Sequence, residues 1–303
     1  MMPAVEAYLA LRRAAGFRLF NAEYLLGSFA RFAGERNETH VRTETAIAWA
    51  AQGPSVAQRD RRLKTVGRFA RHVHVEDDRH ELPPANHFGY RRTRRVPYIY
   101  SPGEIGRLIE AALQLGPAGS PRARTYATLL ALLAATGLRI SEALHLRFAD
   151  ITADGLLIRE TKFRKTRLVP LHDTAMAGLD RYLMHRRQVG FGDDHVFLGD
   201  HGGSLPYQAV HSTFLTLLRK ADLWPASGRR HPRLHDLRHT FAVRALQASP
   251  AGRSPIGQHM VALATYLGHI NIYTTYWYLE AAPDLLSGIA SASETFLCGR
   301  PQT

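Results

Sequence analysis

Between Leu234 and Leu279 the chain concentrates side chains that can handle an anion. The segment opens on LHDLRHTFAVRAL and closes on YLGHINIYTTYWYL, two apolar-periodic runs around the polar insert QASPAGRSPI. His235 and Arg238 stand at i and i+3, so on a helix their imidazole and guanidinium share one side, one turn apart, and can face one anion together. Gly268 reads as a helix end, because glycine adopts the left-handed conformation that stops a helix, and Tyr278 comes nine residues after His269. A phosphate-sized site beside a phenol is the chemistry these residue types suggest. The same spacing also describes an ordinary ion-paired helix face, so its weight depends on the rest of the chain.

Two further cations stand where position matters. In TGLRISEALHLRFADI, residues 136–151, a helix break at Thr136-Gly137 precedes Arg139 at the start of a short new helix, with Ile140, Ala143, Leu144 and Leu146 packing inward. An arginine held beside a buried turn needs an acid or an anion, and Glu142 is the local acid. Residues 156–171 then change to short β-like runs, LLIRET and TRLVPL, joined by Lys162-Phe163-Arg164-Lys165 in a small antiparallel hairpin. The chain has 35 arginines and four lysines, and two of the four are in this turn. Lysine can be tuned to give up a proton where arginine cannot, so the turn is a candidate for proton donation.

The elements that position these groups follow from periodicity. Residues 3–34 carry a helix-period stripe broken at Gly16, which predicts two helices; Thr43 opens a third, and Ser55 with Gln58 is a capping box for a fourth. On this fourth helix Arg59, Arg62, Lys64, Arg68 and Arg71 lie off the apolar stripe and can track a phosphate backbone or simply face water. Residues 82–100, LPPANHFGYRRTRRVPYIY, lose all periodicity and contain the run of Arg91, Arg92, Arg94 and Arg95. The expected division is a helical domain over 1–85, a basic linker over 86–100 and a larger domain over 101–303. Ser101-Pro102-Gly103-Glu104 is a second N-cap signature, followed by helices over 102–114 and 122–136. Asp173 caps a helix to about Val189, Val196-Phe197 reads as a short strand, and another helix is expected from Pro206 to Leu223.

Composition narrows the partner. The net charge is +13, and such a surplus points to a polyanion, with nucleic acid ahead of membrane because no basic amphipathic helix stands out. An arginine-favouring coding bias accounts for the arginine count without requiring a net surplus. No apolar run is long enough to span a bilayer and the first ten residues lack a signal-peptide pattern, so a cytoplasmic location is expected. Cys298 is the only cysteine, which excludes an intramolecular disulfide and a cysteine-cluster zinc site. The 16 histidines show no metal-ligand spacing, no two-metal acidic cluster is present, and neither metal nor other cofactor is expected.

TGLRISE at 136–142, TKFRKTRLVPL at 161–171, LHDLRHT at 234–240, and LGH followed nine residues later by Tyr278 stand in one order. That ordered set resembles the tyrosine recombinase (phage integrase) family. The resemblance covers the second domain well and residues 1–88 only in outline. It implies a mainly α fold: a helical amino-terminal core-binding domain and a mostly helical catalytic domain with a small antiparallel β-sheet, closing as a C-shaped clamp on double-stranded DNA. It further implies Arg139 and Arg238 as phosphate-clamping arginines, Lys162 as the hairpin lysine, His235 and His269 as the active-site histidines, and Tyr278 as nucleophile. The family's glycines around the hairpin lysine are Thr161 and Phe163 here, which leaves Lys165 as a fallback. Tyr273 and Tyr276 crowd the nucleophile, but the spacing from His269 favours Tyr278.

This chemistry explains the residue set. Attack on a phosphodiester builds charge on the non-bridging oxygens, which two guanidinium forks can bind without a metal. A phenol, with a pKa near ~10, needs a base or a positive field to act as a nucleophile at neutral pH, and His235 is the better base. His269 then bonds the phosphate, and Lys162 protonates the leaving 5′-oxygen. A covalent 3′-phosphotyrosine conserves bond energy, so strands can be rejoined without ATP. The resemblance implies a homo-oligomer, a tetramer on synapsed DNA, with the apolar-periodic tail after Tyr278 packing on a neighbouring protomer. The short amino-terminal part leans toward a transposon-encoded or simple recombinase. Two rival readings stand beside it: a type IB topoisomerase-like nicking-closing enzyme, which would share the residues, and a non-catalytic DNA-binding accessory protein with a decayed site, against which the intact set of six residues argues.

Overall fold

The computed structural model describes residues 1–91, 95–159, 166–188, 192–199, 202–226, 230–248, 256–268, 275 and 278. The chain divides into two compact units, Met1–Arg95 and Val96–Thr303. No helix among the described residues is long and apolar enough to cross a membrane.

The first unit is four helices: α1 (Met2–Ala14), α2 (Phe20–Gly34), α3 (Thr43–Ala51) and α4 (Val56–Val73). Most of the stripe read from the sequence is its core; Tyr24, at a helix-period position of the same stripe, faces outward, whereas Val5, Phe29, Trp49, Leu63, Val66 and Phe69, joined by Leu26, are almost fully buried. Each such side chain stabilises the fold by roughly 1.5–3 kcal/mol relative to leaving it in water. Ser55 caps α4, its hydroxyl accepting the Gln58 N–H at 3.3 Å.

The second unit contains α5 (Pro102–Leu113), α6 (Arg122–Thr136), α7 (Ile140–Leu144), a 3₁₀ turn (Phe148–Asp150), β1 (Ile151–Thr152), β2 (Gly155–Ile158), β3 (Arg167–Val169), α8 (Asp173–Gln188), α9 (Tyr207–Lys220), α10 (Leu234–Gln247) and α11 (Ile256–Leu267). At the start of α5 the capping box closes in both directions: Ser101 Oγ accepts the Glu104 N–H (3.2 Å) and Glu104 Oε2 accepts the Ser101 N–H (2.7 Å). α6 buries residues around most of its circumference, among them Tyr126, Leu129, Leu130, Leu132 and Leu133, which makes it a central helix rather than a surface one. It packs on α5, α8 and α10. Its last turn therefore lies deep in the unit, and Gly137 ends it at φ +61°.

The small sheet has the order β1-β2-β3 and is antiparallel throughout. The hairpin over LLIRET and TRLVPL forms as β2 and β3 with Ile158 opposite Arg167, and β1 is an added strand too short to show a period of its own. Gly155 is needed here: at φ +129° a Cβ would stand 2.3 Å from the Val169 carbonyl oxygen.

Two local expectations change. Val196-Phe197 is not a strand but a buried apolar pair between two isolated bridges, Arg147 with His195 and Leu198 with Ser204. The Val196 N–H bonds the Leu146 carbonyl (2.8 Å) while Arg186 takes the His195 carbonyl, so no ladder extends from it. Helix α9 ends at Lys220 rather than Leu223, because Asp222 turns left-handed (φ +55°) and the Leu223 N–H reaches back to the Leu218 carbonyl at 2.8 Å.

Candidate active site

α10 carries both His235 and Arg238, and its placement is fixed from the preceding chain. The Tyr100 N–H donates to Thr240 Oγ1 (2.9 Å), the Tyr100 hydroxyl to the Arg233 carbonyl (3.2 Å), and Arg244 to the Tyr100 carbonyl. Arg238 is only 2% exposed. A guanidinium that deep must be met by acceptors, and it is: Nη1 donates to the Gly137 carbonyl at the end of α6 (2.8 Å) and Nη2 to the Leu267 carbonyl at the end of α11 (2.7 Å). Both acceptors lie at helix C-termini, where the backbone dipole favours a cation.

Arg139 comes to the same place from α7. Its backbone N–H and Nη1 both bond Glu142 (2.9 and 2.7 Å), Nη2 donates to the Gly268 carbonyl (3.2 Å), and Nη1 stands 3.5 Å from the Leu267 oxygen that Arg238 also uses. The glycines on either side permit this convergence. A Cβ at Gly137 would lie 2.5 Å from the Phe241 ring, and Gly268, at φ +65°, ends α11 as its sequence position predicts. Arg167 from β3 forks onto Glu142 from the far side at 3.0 and 2.8 Å. Two guanidiniums thus share one carboxylate, Arg238 joins Arg139 at the Leu267 carbonyl, and the three arginines with Glu142 leave two positive charges for an anion to meet.

Tyr278 is 2% exposed and packs with Ala242, Val243, Leu246, Met260, Leu263 and Leu267. Burial raises the phenol's pKa, and Arg238, through its charge and a hydrogen bond, and Arg139 through its charge work against that rise. Burial and the neighbouring Arg139 lower Arg238 itself to about 10. An incoming phosphate would relieve that repulsion. His235 is exposed at the open side of the site, yet the protein around it and the charge of Arg238 lower its pKa to about 4. Its wetted edge softens that shift, but the direction leaves a neutral imidazole, able to accept a proton, at neutral pH. His239 bridges the two groups: its ring is 4.7 Å from that of His235 and 5.4 Å from that of Tyr278, edge to face in both contacts.

Of the residues the sequence nominates, the structure brings together Arg139, His235, Arg238 and Tyr278. Lys162 and Lys165 in the hairpin, and His269, Tyr273 and Tyr276, lie outside the described residues. Two contributors escaped sequence reasoning. His239 carried a signal, being four residues from His235 on the same helix face; Arg167 carried only that of a charge opening an otherwise apolar strand.

The cations of the first unit are differently placed. Arg59 donates to the Gly53 carbonyl (2.8 Å) and Arg62 to the Trp49 carbonyl (3.1 Å), with its guanidinium over the Trp49 ring, so both satisfy carbonyls at the end of α3. Lys64 pairs with Asp60 at 2.9 Å, and Arg68 is exposed. In the linker Arg91 is exposed and Arg95 half-buried, while Arg92 and Arg94 lie outside the described residues.

Folding also brings metal-capable atoms together in ways the chain spacing did not reveal. Among the described residues, His40, Asp77 and His80 form one such group and Asp193, Asp194 and His195 another. Each is already closed by its own contacts. Arg79 forks onto Asp77, His80 Nδ1 accepts the Val41 N–H (3.0 Å), Arg147 forks onto Asp194, and Asp193 accepts the His195 N–H (2.8 Å).

Glu142 gives the site a pH signature. Burial acts to raise its pKa, but the hydrogen bonds and charge of Arg167 and Arg139 prevail and hold it at about 2, against an ordinary 4.5. A carboxyl depressed in the folded state stabilises the fold above its unfolded pKa and loses that contribution as pH falls toward the folded value. The contribution is roughly 3 kcal/mol at neutral pH. Glu142→Gln should therefore lower the urea midpoint most at neutral pH, and the gap to the wild type should close between about pH 4.5 and pH 2. A gap that stays constant on acidification contradicts this account.

The second unit is thus a mostly helical body with a small antiparallel sheet, in which two arginines converge beside a buried phenol. Residues 101–284 match the phage integrase family. The protein y4rB of Sinorhizobium fredii, described as an integrase/recombinase, is 39% identical over 93% of each chain. The tyrosine recombinase XerD of Brucella abortus is 30% identical over 85% of this chain and 82% of its own. In structure the chain is similar to a lambda integrase tetramer bound to a Holliday junction, with a TM-score of 0.65 at 15% identity, covering 91% of this chain and 76% of that one. The chain belongs to the phage integrase family, the tyrosine-type site-specific recombinases.

Proposed function

We propose that this recombinase cleaves and rejoins double-stranded DNA through a covalent 3′-phosphotyrosyl intermediate on Tyr278, without metal or ATP. The observation that carries the reading is the convergence of Arg139 and Arg238 on the Leu267 carbonyl beside the Tyr278 phenol, with Glu142, among the described residues, the carboxylate paired with Arg139 and Arg167. Arg238 and Arg139 bind the non-bridging oxygens, and that charge, strengthened out of water, stabilises the phosphorane as it forms. Neutral His235 accepts the phenolic proton. His269 bonds the phosphate and Lys162 protonates the leaving 5′-oxygen, the roles that their positions in the family pattern support.

The described cations leave Arg68 and Arg91 exposed for phosphate contacts, joined by Arg92, Arg94 and Arg95 in the linker. In the helix of the first unit, Arg59, Arg62 and Lys64 act on DNA only through whatever freedom their intramolecular bonds allow. Four copies assemble on synapsed DNA, a reading supported by the similarity to a lambda integrase tetramer bound to a Holliday junction. Work on chromosomal or element-borne DNA fits a cytoplasmic location.

The test is a nicked duplex built from the DNA that flanks the gene, incubated with the protein in excess EDTA. Because guanidiniums carry the charge stabilisation, a covalent protein–DNA adduct should accumulate undiminished. Cleavage that collapses in EDTA and returns with magnesium contradicts the reading. Relaxation of a separate supercoiled circle, with no strand exchange between two duplexes, points instead to a nicking-closing enzyme.

A further inference from the structure

Arg167 has no role in the chemistry above, yet three of its nitrogens are engaged at the centre of the site. It opens β3 opposite Ile158, so it stands where the lysine-bearing hairpin rejoins the body of the unit. Nη1 and Nη2 reach the two oxygens of Glu142 at 3.0 and 2.8 Å, and Nε donates to the Tyr266 carbonyl in the last turn of α11 at 2.9 Å. The side chain passes so near the end of that helix that a Cβ at Gly268 would stand 2.9 Å from Nη1 and 3.1 Å from Cζ. Its side chain is 13% exposed and that of Glu142 6%, so little water screens the pair.

These contacts face inward, which sets Arg167 apart from the phosphate-binding arginines. Their consequence falls on Glu142, which also accepts the Arg139 N–H and Nη1–H. If Arg139 were its only partner, the carboxylate would cancel most of the Arg139 field at a phosphate a few ångström away. A second guanidinium, forked onto the same two oxygens, takes up that negative charge and leaves the first one cationic toward solvent.

We propose that Arg167 is a positioning residue for strand transfer: by forking onto Glu142 it frees the charge of Arg139 for the scissile phosphate, and by bonding the end of α11 it ties the base of the hairpin to the carbonyls that hold both arginines. The proposal rests on the reading of Arg139 as a phosphate ligand. It differs from a purely structural ion pair in one respect: removing the carboxylate should compensate for removing Arg167.

The experiment measures the adduct rate at saturating DNA, on the nicked duplex that carries the DNA flanking the gene. Wild type is compared with Arg167→Met, Arg167→Lys, Glu142→Gln and the double variant Glu142→Gln/Arg167→Met, each checked for a cooperative melt. Arg167→Met should lower the saturating rate by about 10², the loss expected when a charge-stabilising group is displaced by about 1 Å. Arg167→Lys keeps a charge but not the fork, and should lose about tenfold. The double variant should run at least about tenfold faster than Arg167→Met, since Arg139 no longer faces a negative neighbour. If Arg167→Met does not fold, the same order is expected between Arg167→Lys and Glu142→Gln/Arg167→Lys. A double variant no faster than its single parent overturns the proposal, as does Arg167→Met at the wild-type rate. Wild-type protein that forms no adduct overturns the strand-transfer reading and this inference with it; a wild-type adduct without compensation overturns this inference alone.

Discussion

Tyr278→Phe should bind duplex DNA as tightly as the wild type and form no covalent complex at all. The substitution removes one oxygen from a ring that is 2% exposed and packed on Met260, Leu263 and Leu267, so the cavity it leaves is small and the fold should be almost unaffected. What is lost is the hydroxyl of the one phenol, among the described residues, that meets the charges of both Arg238 and Arg139. Binding and chemistry therefore separate cleanly in this variant. Mobility shift reports the first and denaturing electrophoresis the second. Adducts that persist in Tyr278→Phe and vanish in Tyr276→Phe or Tyr273→Phe contradict the assignment.

The next largest effect is expected at the hairpin. Ile158 pairs with Arg167, so Lys162 and Lys165 both fall in the sequence that joins β2 to β3, and Arg167, the first residue of β3, forks onto Glu142. If Lys162 is the general acid, Lys162→Ala should slow cleavage by roughly 10²–10⁴, while Lys165→Ala costs much less. A substrate with sulfur in place of the 5′-bridging oxygen separates the roles, because a thiolate leaves without being protonated. That substrate should restore Lys162→Ala and leave Arg238→Ala impaired, since the arginine acts on the phosphorane oxygens and not on the leaving group. Arg238→Ala also removes a donor from the Gly137 and Leu267 carbonyls, so its melt must be followed alongside its rate. Equal rescue of both variants, or rescue of Lys165→Ala alone, places the proton on a different residue.

Much of this arrangement was legible in the chain, for identifiable reasons. Ser101 and Glu104 announce α5 because a capping box is a local device, complete within four residues. Gly268 announces the end of α11 because only backbone sterics are involved. Arg139 with Glu142 was legible because the two share one turn. The parts that escaped are non-local. Nothing near Arg167 in sequence shows that it meets Glu142, 25 residues away, or the end of α11. Val196-Phe197 has the composition of a strand, but whether it pairs depends on Leu146 and Arg186, which approach from other elements. Arg59 and Arg62 lie off the apolar stripe of their helix as free cations would. Their engagement by the end of α3 appears only once two helices are packed.

The central claim is that strand transfer passes through Tyr278 in a field set by two arginines, and one measurement meets it directly. The adduct trapped on the nicked duplex can be digested with protease and nuclease and the modified peptide sequenced by tandem mass spectrometry. The account predicts a single modified residue, Tyr278, carrying a nucleotide through its 3′-phosphate, at the same yield with and without EDTA. A nucleotide on Tyr273, Tyr276 or any other residue, a 5′-phosphate linkage, or cleaved DNA with no modified peptide would contradict it.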